Sequence, residues 1–374
     1  MTGMWDLVVV GAGPAGSSAA LAALAARPSA RVLLLDRSDF PRDKACGDGV
    51  APHVLDLLDE VGVTGLLDDR VAVEQLELAR GPDAVRRRMA RPAWVVPRAV
   101  LDARLVEAAV RAGATLARHR VRAVRQLPDR LVVDDEVEGR HVVAADGAHS
   151  VLRARLALPP AGRTALALRG YAPTPSQRRG RQVIVFGSGR QPSYAWSFDR
   201  GDGLANVGYG ELLQARAPQR RELLERLEQL LPGSTSDGGS WRGHHLPLSS
   251  WRWRQPDGRI LLAGDAAHLI NPMTGEGIYY AVATGMLAGR TAVAVGSGPA
   301  DAGARHRAAV RALLGRHLRH TALASRLLAA PGVVAGALRA AAADQGVFDD
   351  LVEIGLGRGR LTPRVLAGMA PRWG

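Results

Sequence analysis

Two residue types are almost missing from this chain. Among 374 residues there is one cysteine, Cys46, and one lysine, Lys44, although lysine and arginine together number 49. A single cysteine excludes an intramolecular disulfide and favours a reducing compartment. Both rare residues lie in one short stretch, RDKACGDG at residues 42–49. This coincidence makes the stretch a candidate functional loop.

Acidic residues are too few to balance the arginines, and the net charge is +13. Such a charge raises nucleic acid or an anionic membrane as a partner. The arginines, however, are scattered singly and in pairs among 36 acidic residues. This pattern indicates a coding bias towards arginine, and we expect no nucleic-acid partner.

Metal-ligand spacings, internal repeats and low-complexity linkers are missing too. His244 and His245 have no partner at zinc spacing, so we expect no metal. Residues 7–26 carry no charge and are long enough to cross a bilayer, but glycine and proline cluster at their centre. No basic segment precedes them, so neither a membrane span nor a signal peptide fits, and we expect a cytoplasmic protein.

The same uncharged residues instead predict a strand, a tight turn and a helix. Residues 7–10 are typical of a buried parallel strand, and GAGPAG at 11–16 opens an alanine-rich helix. A second strand, 31–35, leads into Asp36, twenty residues after the last of these glycines. In this order G-x-G-x-x-G binds a dinucleotide, because the glycines admit a pyrophosphate and the acid accepts from ribose hydroxyls. The predicted contacts are Gly11, Gly13, Ala15, Gly16, Asp36 and Arg37.

Two later segments decide between NAD and FAD. HVVAADG at 141–147 and RILLAGD at 259–265 each predict a strand that delivers an acid, Asp146 or Asp265, to the carboxyl edge of the same sheet. FAD needs a second acid for the hydroxyls of its ribityl chain, whereas NAD does not. We therefore predict FAD, with Asp265 as the ribityl partner. The alternative is an aspartate that only caps the next helix.

The segment NPMTGEGI at 271–278 is typical of a helix start that faces a ring. Gly275 and Gly277 would let backbone N–H groups approach the edge of a flavin, and a plain glycine-rich turn is the alternative. Arg98 opens another predicted helix, and it either reaches a phosphate or adenine or is a solvated arginine. From these segments we predict cofactor contacts by Arg98, Asp146, Gly264, Asp265, Pro272, Gly275, Gly277 and Ile278.

Together these motifs resemble the flavoproteins related to p-hydroxybenzoate hydroxylase. The resemblance rests on GAGPAG followed by Asp36-Arg37, R-x-x-L-D at 98–102, ADG at 145–147 and AGDAAH at 263–268. Within that superfamily the chain is most similar to the geranylgeranyl reductase family, through KACGDG at 44–49, PSYAWSF at 192–198, NVGYG at 206–210 and NPMTGEGIYYA at 271–281. The match runs over nearly the whole chain.

The resemblance implies an α/β fold with a Rossmann-like FAD-binding domain of the p-hydroxybenzoate hydroxylase type, an inserted mixed β-sheet substrate domain and C-terminal helices. It places the K-x-C-G loop against the isoalloxazine ring, with Lys44, Cys46 and Asp48 as candidate catalytic residues. Further expected cofactor contacts are Cys46, Gly47 and Val121. The alternatives are a small buried hydrophobe for Cys46 and a surface charge for Lys44. NAD(P)H would visit the flavin transiently, since no second G-x-G-x-x-G occurs.

Domain boundaries follow from where these segments fall. Alternating runs between them predict strands of a second sheet. We expect the FAD-binding domain at 1–70, 98–160 and 256–300, the substrate domain at 71–97 and 161–255, and a helical region at 301–374.

Aromatic residues suggest one wall of the substrate site. Tyr194, Trp196 and Phe198 alternate along a predicted strand and therefore project from one face, either as an apolar substrate wall or as plain sheet core. We expect this wall to be extended by Trp241, Trp251 and Trp253.

We therefore expect an FAD-dependent oxidoreductase acting on an apolar small molecule. The favoured reaction is reduction of a C=C double bond in an isoprenoid-like or other unsaturated natural product, with hydride from flavin N5 and a proton from solvent or a loop residue. Alternatives of the same fold are a monooxygenase that uses O₂ and a flavoprotein that binds or cyclises its substrate without redox turnover. Residues 300–343 predict a basic amphipathic helix, which either makes a peripheral contact with anionic lipid or packs on its own domain.

Overall fold

The computed structural model describes residues 3–189, 191–294 and 301–369. Within these residues strands β1 to β15 are Trp5–Val10, Val32–Asp36, Gly49–Val50, Ala72–Arg80, Asp83–Val95, Thr115–Arg118, Val124–Gln126, Leu131–Val133, Val137–Ala144, Thr164–Pro173, Arg181–Phe186, Ser193–Asp199, Leu204–Leu212, Gly239–Pro247 and Ile260–Leu262. Helices α1 to α10 are Pro14–Ala26, Pro52–Asp59, Arg98–Arg111, Val151–Arg155, Arg220–Leu230, Ile278–Ala294, Asp301–Leu327, Val333–Ala343, Gln345–Leu356 and Pro363–Met369.

The first sheet contains the parallel strands predicted around the glycine motif. Its order is β6-β2-β1-β9, with β15 beside the end of β9 and the β7-β8 hairpin beside the start of β9. Val8 of β1 pairs with Leu33 of β2 on one side and with Val142 of β9 on the other. These central strands are apolar and almost wholly buried, as expected for a parallel sheet with both faces covered.

The second sheet is mixed and contains the alternating runs. Its order is β14-β10-β13-β12-β11-β4-β5-β3, and β4 runs parallel to β11 while the other neighbours are antiparallel. Helix α5 packs on this sheet through Leu223 and Leu227. The two-residue strand β3 pairs with the end of β5, and it comes directly after the RDKACGD residues. The candidate loop therefore runs from the first sheet into the second.

Helices α1 and α6 pack closely because two glycines of α6 lie where the helices meet. A Cβ on Gly285 or Gly289 would lie 2.1 or 2.0 Å from the carbonyl oxygen of Ala15 or Ala19 in α1. Real Cβ atoms do not approach backbone oxygen this closely. This contact holds the segment before α6 against the turn before α1.

The C-terminal helices cover one end of the second sheet. The predicted basic helix at 300–343 is two helices, α7 and α8, separated at Gly332, whose φ is +78°. Helices α8 and α9 pack on β4 and β5 and bury Leu338 and Phe348. Within the described ranges, none of the helices combines the length and the apolar character needed to cross a membrane.

The predicted fold class is confirmed: a Rossmann-like FAD-binding fold with a second mixed sheet and C-terminal helices. The exact domain boundaries remain a proposal. Their predicted ends at residues 295–300 and 370–374, and the N-terminal residues 1–2, lie outside the described residues.

The α1–α6 contact predicts that two glycine-to-alanine substitutions will have different effects on the free energy of unfolding. Gly289→Ala should lower the free energy of unfolding by about 1–3 kcal/mol, because the added methyl overpacks the helix contact. Gly315→Ala in α7 is the matched control, since its Cβ would meet Arg311 at an ordinary 3.9 Å. That control should be neutral or stabilising by up to about 1 kcal/mol through helix propensity. Urea denaturation checks both, and equal effects would contradict the packing argument.

Candidate active site

A large cavity of about 750 Å³ extends from the carboxyl edge of the first sheet to the second sheet. Its walls include the turns after β1, β2, β6 and β9, which is where open α/β sheets bind ligands. It is lined by most of the predicted cofactor contacts, namely Gly11, Gly13, Ala15, Asp36, Arg37, Cys46, Gly47, Arg98, Val121, Asp146, Asp265, Pro272, Gly275, Gly277 and Ile278. Gly16 and Gly264 do not line the cavity and lie in the packing behind it.

The turn between β1 and α1 has the shape of a phosphate site. Gly11 has φ +97°, and a Cβ on Gly16 would lie 1.8 Å from the Gly11 carbonyl oxygen, so both positions need glycine. Helix α1 begins at Pro14 without a side-chain cap on its N-terminus. Its first N–H groups are therefore available to an anion in the cavity.

Asp36 and Arg98 flank this turn. The Asp36 carboxylate accepts from the backbone N–H of Ala12 at 2.8 Å and of Ser38 at 2.9 Å. Arg98 is buried and donates to both oxygens of Asp102 at 2.6 and 2.8 Å, so the solvated alternative is wrong. A Cβ on Gly13 would lie 3.6 Å from Arg98 Nη2, which places the guanidinium beside the phosphate turn.

Lys44 and Asp265 meet across the cavity wall. Lys44 Nζ lies 3.0 Å from Asp265 Oδ2, so the surface-charge alternative for Lys44 is wrong. Burial alone would raise the pKa of Asp265, but the Lys44 ammonium overcomes this effect and lowers it. Asp265 therefore presents an ionised acceptor at the end of β15. Asp146, the other predicted acid, accepts from the N–H of Val151 at 2.8 Å.

The NPMTGEG segment is anchored on the C-terminal helices. Asn271 Nδ2 donates to the Ile354 carbonyl at 2.9 Å, and Thr274 Oγ1 donates to the Gly355 carbonyl at 2.8 Å. Glu276 accepts from the N–H of Tyr279 at 2.8 Å at the start of α6. Burial raises the pKa of this carboxyl to about 7, although the N–H groups at the helix start oppose the shift. Glu276 lines the cavity. The sequence pointed to the neighbouring glycines but not to Glu276.

The first half of the K-x-C-G loop is held by Arg169 of β10. This fully buried guanidinium pairs with the Asp43 carboxylate and donates to the Lys44 carbonyl at 3.1 Å. The same guanidinium stacks over the Tyr171 ring at 4.6 Å. The backbone around Lys44 is therefore fixed to the second sheet.

The second half of the loop is held by Asn206 of β13. Asn206 Nδ2 donates to the Cys46 carbonyl at 2.9 Å and to Asp48 Oδ2 at 2.8 Å. Tyr171 also donates to Asp48 Oδ2, at 2.6 Å. Asp48 is completely buried with φ +59°, a backbone conformation that is uncommon outside glycine and persists only where surroundings hold it.

Burial governs the proton affinities in this loop. It raises the pKa of the Cys46 thiol, although nearby Arg98 acts in the opposite direction. Burial also raises the pKa of Asp48 to about 6, against the hydrogen bonds from Tyr171 and Asn206. The loop thus favours a protonated thiol beside a carboxyl that titrates near neutrality. Such groups can donate a proton.

The three aromatic residues of β12 line the cavity, as the substrate-wall interpretation predicts. A Cβ on Gly47 would lie 3.6 Å from the Phe198 ring, so the loop packs directly on this wall. The expected extension of the wall by three further tryptophans is wrong. Trp241 packs on Gly170 and Gly238 instead, Trp253 is buried in the first-sheet core, and Trp251 is exposed beside a separate small cavity. The aromatic character of a side chain does not determine whether it lines the cavity or packs in a hydrophobic core.

Beyond this wall the cavity becomes apolar. Its far end lies between β4 and β11 of the second sheet and helices α8 and α9, and it is lined by Leu76, Ile184, Phe186, Val334, Leu338 and Leu351. A long apolar ligand can therefore extend from the loop into this end. Across the described part of the chain, no group of three or more His, Cys, Asp or Glu side chains is placed to hold a metal.

The residues at the sheet edge fit FAD. The uncapped helix start suits the pyrophosphate, Asp36 suits a ribose, and Asp265 suits a ribityl chain. The sequence profile of the FAD binding domain family matches residues 4–186 and 213–308. This chain belongs to that family. It is an FAD-dependent oxidoreductase of the geranylgeranyl reductase type.

Several relatives of this flavoprotein are named reductases. It is 34% identical to a menaquinone reductase from Mycolicibacterium smegmatis, over 76% of this chain and 75% of the relative. It is 33% identical to digeranylgeranylglycerophospholipid reductase 1 from Methanopyrus kandleri, over 77% of this chain and 80% of the relative. A geranylgeranyl bacteriochlorophyll reductase-like protein from Thermoplasma acidophilum shares the fold, with a TM-score of 0.77 and 21% identity over 99% of this chain and 96% of that protein.

The position of Asp265 predicts a specific loss of cofactor affinity. In this flavoprotein Asp265→Ala should raise the Kd for FAD about tenfold or more, because the ribityl hydroxyls lose an ionised acceptor. Asp257→Ala is the control, since Asp257 lies before β15, pairs with Arg307 and does not line the cavity. Fluorescence titration with FAD measures both. An unchanged Kd in Asp265→Ala would exclude the ribityl role.

The buried Glu276 predicts a pH effect on stability. A carboxyl whose pKa is raised from 4.5 to about 7 on folding binds more protons in the folded state between those values. The free energy of unfolding therefore falls as pH rises through this window. In Glu276→Gln, the decrease in the free energy of unfolding over this window should be smaller by roughly 1–3 kcal/mol. Glu225 is exposed, so Glu225→Gln is the control and should show the same decrease as wild type. Urea denaturation at pH 5 and pH 8 checks this, and parallel profiles for Glu276→Gln and wild type would contradict it.

Proposed function

We propose that this flavoprotein reduces C=C double bonds of an apolar, isoprenoid-like substrate. The observation that carries the proposal is the single continuous cavity, which joins the cofactor edge to the Cys46 loop and then to an apolar end. The named activities of the relatives support a substrate of this class. NAD(P)H remains our proposed electron donor, as a transient visitor.

FAD, when bound, supplies the hydride for this reaction. The substrate double bond would lie between the cofactor edge and the aromatic wall, with its apolar chain between β11 and α8. Tyr194 is held in that wall by its hydrogen bond to the Thr274 carbonyl, which ties the wall to the NPMTGEG segment. A bound apolar substrate would displace water from this part of the cavity, which would favour proton delivery from a protein group.

Cys46 is the proposed proton donor to the second carbon. Because burial raises its pKa, the thiol is protonated at neutral pH and is available as an acid. Lys44 is proposed to keep Asp265 ionised, and Asp48 to supply a neighbouring proton. The alternative roles remain a packing role for Cys46 and proton delivery from solvent.

Product analysis with and without O₂ tests the proposal. The FAD-loaded enzyme is reduced with dithionite and mixed anaerobically with digeranylgeranylglycerophospholipid, and the product is analysed by mass spectrometry. We expect a gain of two hydrogens per reduced double bond without O₂. Oxygen incorporation that disappears without O₂ would overturn the proposal in favour of a monooxygenase. An unchanged or isomeric product would favour non-redox binding or cyclisation, and oxidised enzyme without dithionite is the control.

A further inference from the structure

Asn206 joins two parts of the candidate site that come from distant regions of the sequence. It is wholly buried on β13. Its Oδ1 accepts from the indole N–H of Trp196 at 2.8 Å, and its Nδ2 donates to the Cys46 carbonyl at 2.9 Å. A second donation from Nδ2 reaches Asp48 Oδ2 at 2.8 Å. One side chain therefore contacts the aromatic wall and the loop together.

This set of contacts requires a carboxamide. The indole of Trp196 needs an acceptor, whereas the Cys46 carbonyl and the Asp48 carboxylate both need donors. An amide supplies both kinds of group on one short side chain; its bonds to Trp196 and Asp48 are buried, and its bond to the Cys46 carbonyl is partly buried. Removing the amide would leave buried polar groups without partners, which costs far more than losing a solvent-exposed bond.

The contacts also bear on the conformation of the loop. Asp48 has φ +59°, and among the described residues its Oδ1 has no hydrogen-bond partner. Within the loop, the backbone N–H of Asp48 bonds to the Cys46 thiol. From outside the loop, Asp48 is held by Asn206 and Tyr171, with a further bond from the N–H of Val96 to the Asp48 carbonyl. Of these three residues, Asn206 alone also binds the carbonyl of Cys46.

We propose that Asn206 is a positioning residue that fixes the loop carrying the Cys46 thiol to the aromatic wall. It acts through the loop backbone and has no direct role in proton transfer. The catalytic consequence rests on the proposed function of Cys46, whereas the effect on the position of the thiol does not. Because Asn206 also binds Trp196, a substrate that displaces the Trp196 ring would also displace the loop that carries the thiol.

The single cysteine makes the position of the loop directly measurable. The rate of alkylation by iodoacetamide reports Cys46 alone, and its pH profile reports the pKa of the thiol. In FAD-loaded protein, Asn206→Leu and Asn206→Ala should raise the alkylation rate roughly tenfold, because the freed loop opens to solvent more often. The pH profile should also shift to lower pH, since burial is what raises the thiol pKa.

Ser197→Ala is the matched control. Ser197 is similarly buried on the neighbouring strand β12, and its hydroxyl makes no hydrogen bond to any described residue. Alternation along the strand places it on the face opposite Trp196. Its alkylation rate and pH profile should match wild type. Thermal melts identify a temperature at which all compared variants are folded, and alkylation is measured at that temperature. If Asn206→Leu does not fold, the comparison is made with Asn206→Ala.

A double-mutant cycle separates this inference from the proposed function. Cys46→Ser alone should slow substrate-dependent flavin reoxidation by roughly 10²-fold, and Asn206→Ala alone by roughly tenfold. In the Cys46→Ser background, Asn206→Ala should slow flavin reoxidation by less than about twofold further, because the thiol that Asn206 positions is already absent. Wild-type alkylation in both Asn206 variants would overturn the positioning role, and so would fully multiplicative losses in the cycle when Cys46→Ser is itself slow. A near-wild-type rate for Cys46→Ser with altered alkylation in the Asn206 variants would refute the proton-donor role and leave the positioning role standing.

Discussion

An irregular segment that runs through the interior must find partners for most of its buried backbone polar groups, and this requirement organises the candidate site. Residues 42–49 leave the first sheet without regular structure and enter the second sheet only at β3. Arg169 and Asn206 satisfy loop carbonyls from two strands of the second sheet, and Asp265 pairs with Lys44 from the first. The loop therefore connects the two sheets, and the cavity wall depends on that connection.

Buried charge is distributed unevenly along this cavity. Near the phosphate turn, acids and bases are matched, as in the bidentate pair of Arg98 with Asp102. Near the aromatic wall, Asp48 and Glu276 are buried carboxyls whose hydrogen bonds do not fully offset desolvation, and their pKa values rise to about 6 and about 7. Matched charges bind and orient an anionic cofactor, whereas carboxyls that titrate near neutrality can exchange protons. The same cavity thus has one end suited to binding and another suited to proton chemistry.

Sequence reasoning located residues correctly where their position depends on neighbours along the chain. The glycine turn, Asp36 and Asp265 lie in local motifs with their own strand and helix context, and all were predicted to lie at one sheet edge. Asn206 was quoted within a family motif but received no role, because its partner Cys46 lies 160 residues away and only the sheet register brings them together. The tryptophan prediction failed for a related reason, since the identity of Trp251 does not reveal which cavity it faces.

The scarcity of lysine has a consequence for labelling chemistry. Lys44 carries the only side-chain amine in the protein, and in this structure that amine is neutralised by Asp265 within a partly closed cavity. Apart from any free N-terminal amine, an acylating reagent would thus modify one amine, inside the candidate site. Its rate would depend on whether Asp265 engages the ammonium or another hydrogen-bonding group. The unusual composition therefore provides an intrinsic chemical reporter of occupancy, without introducing any new residue.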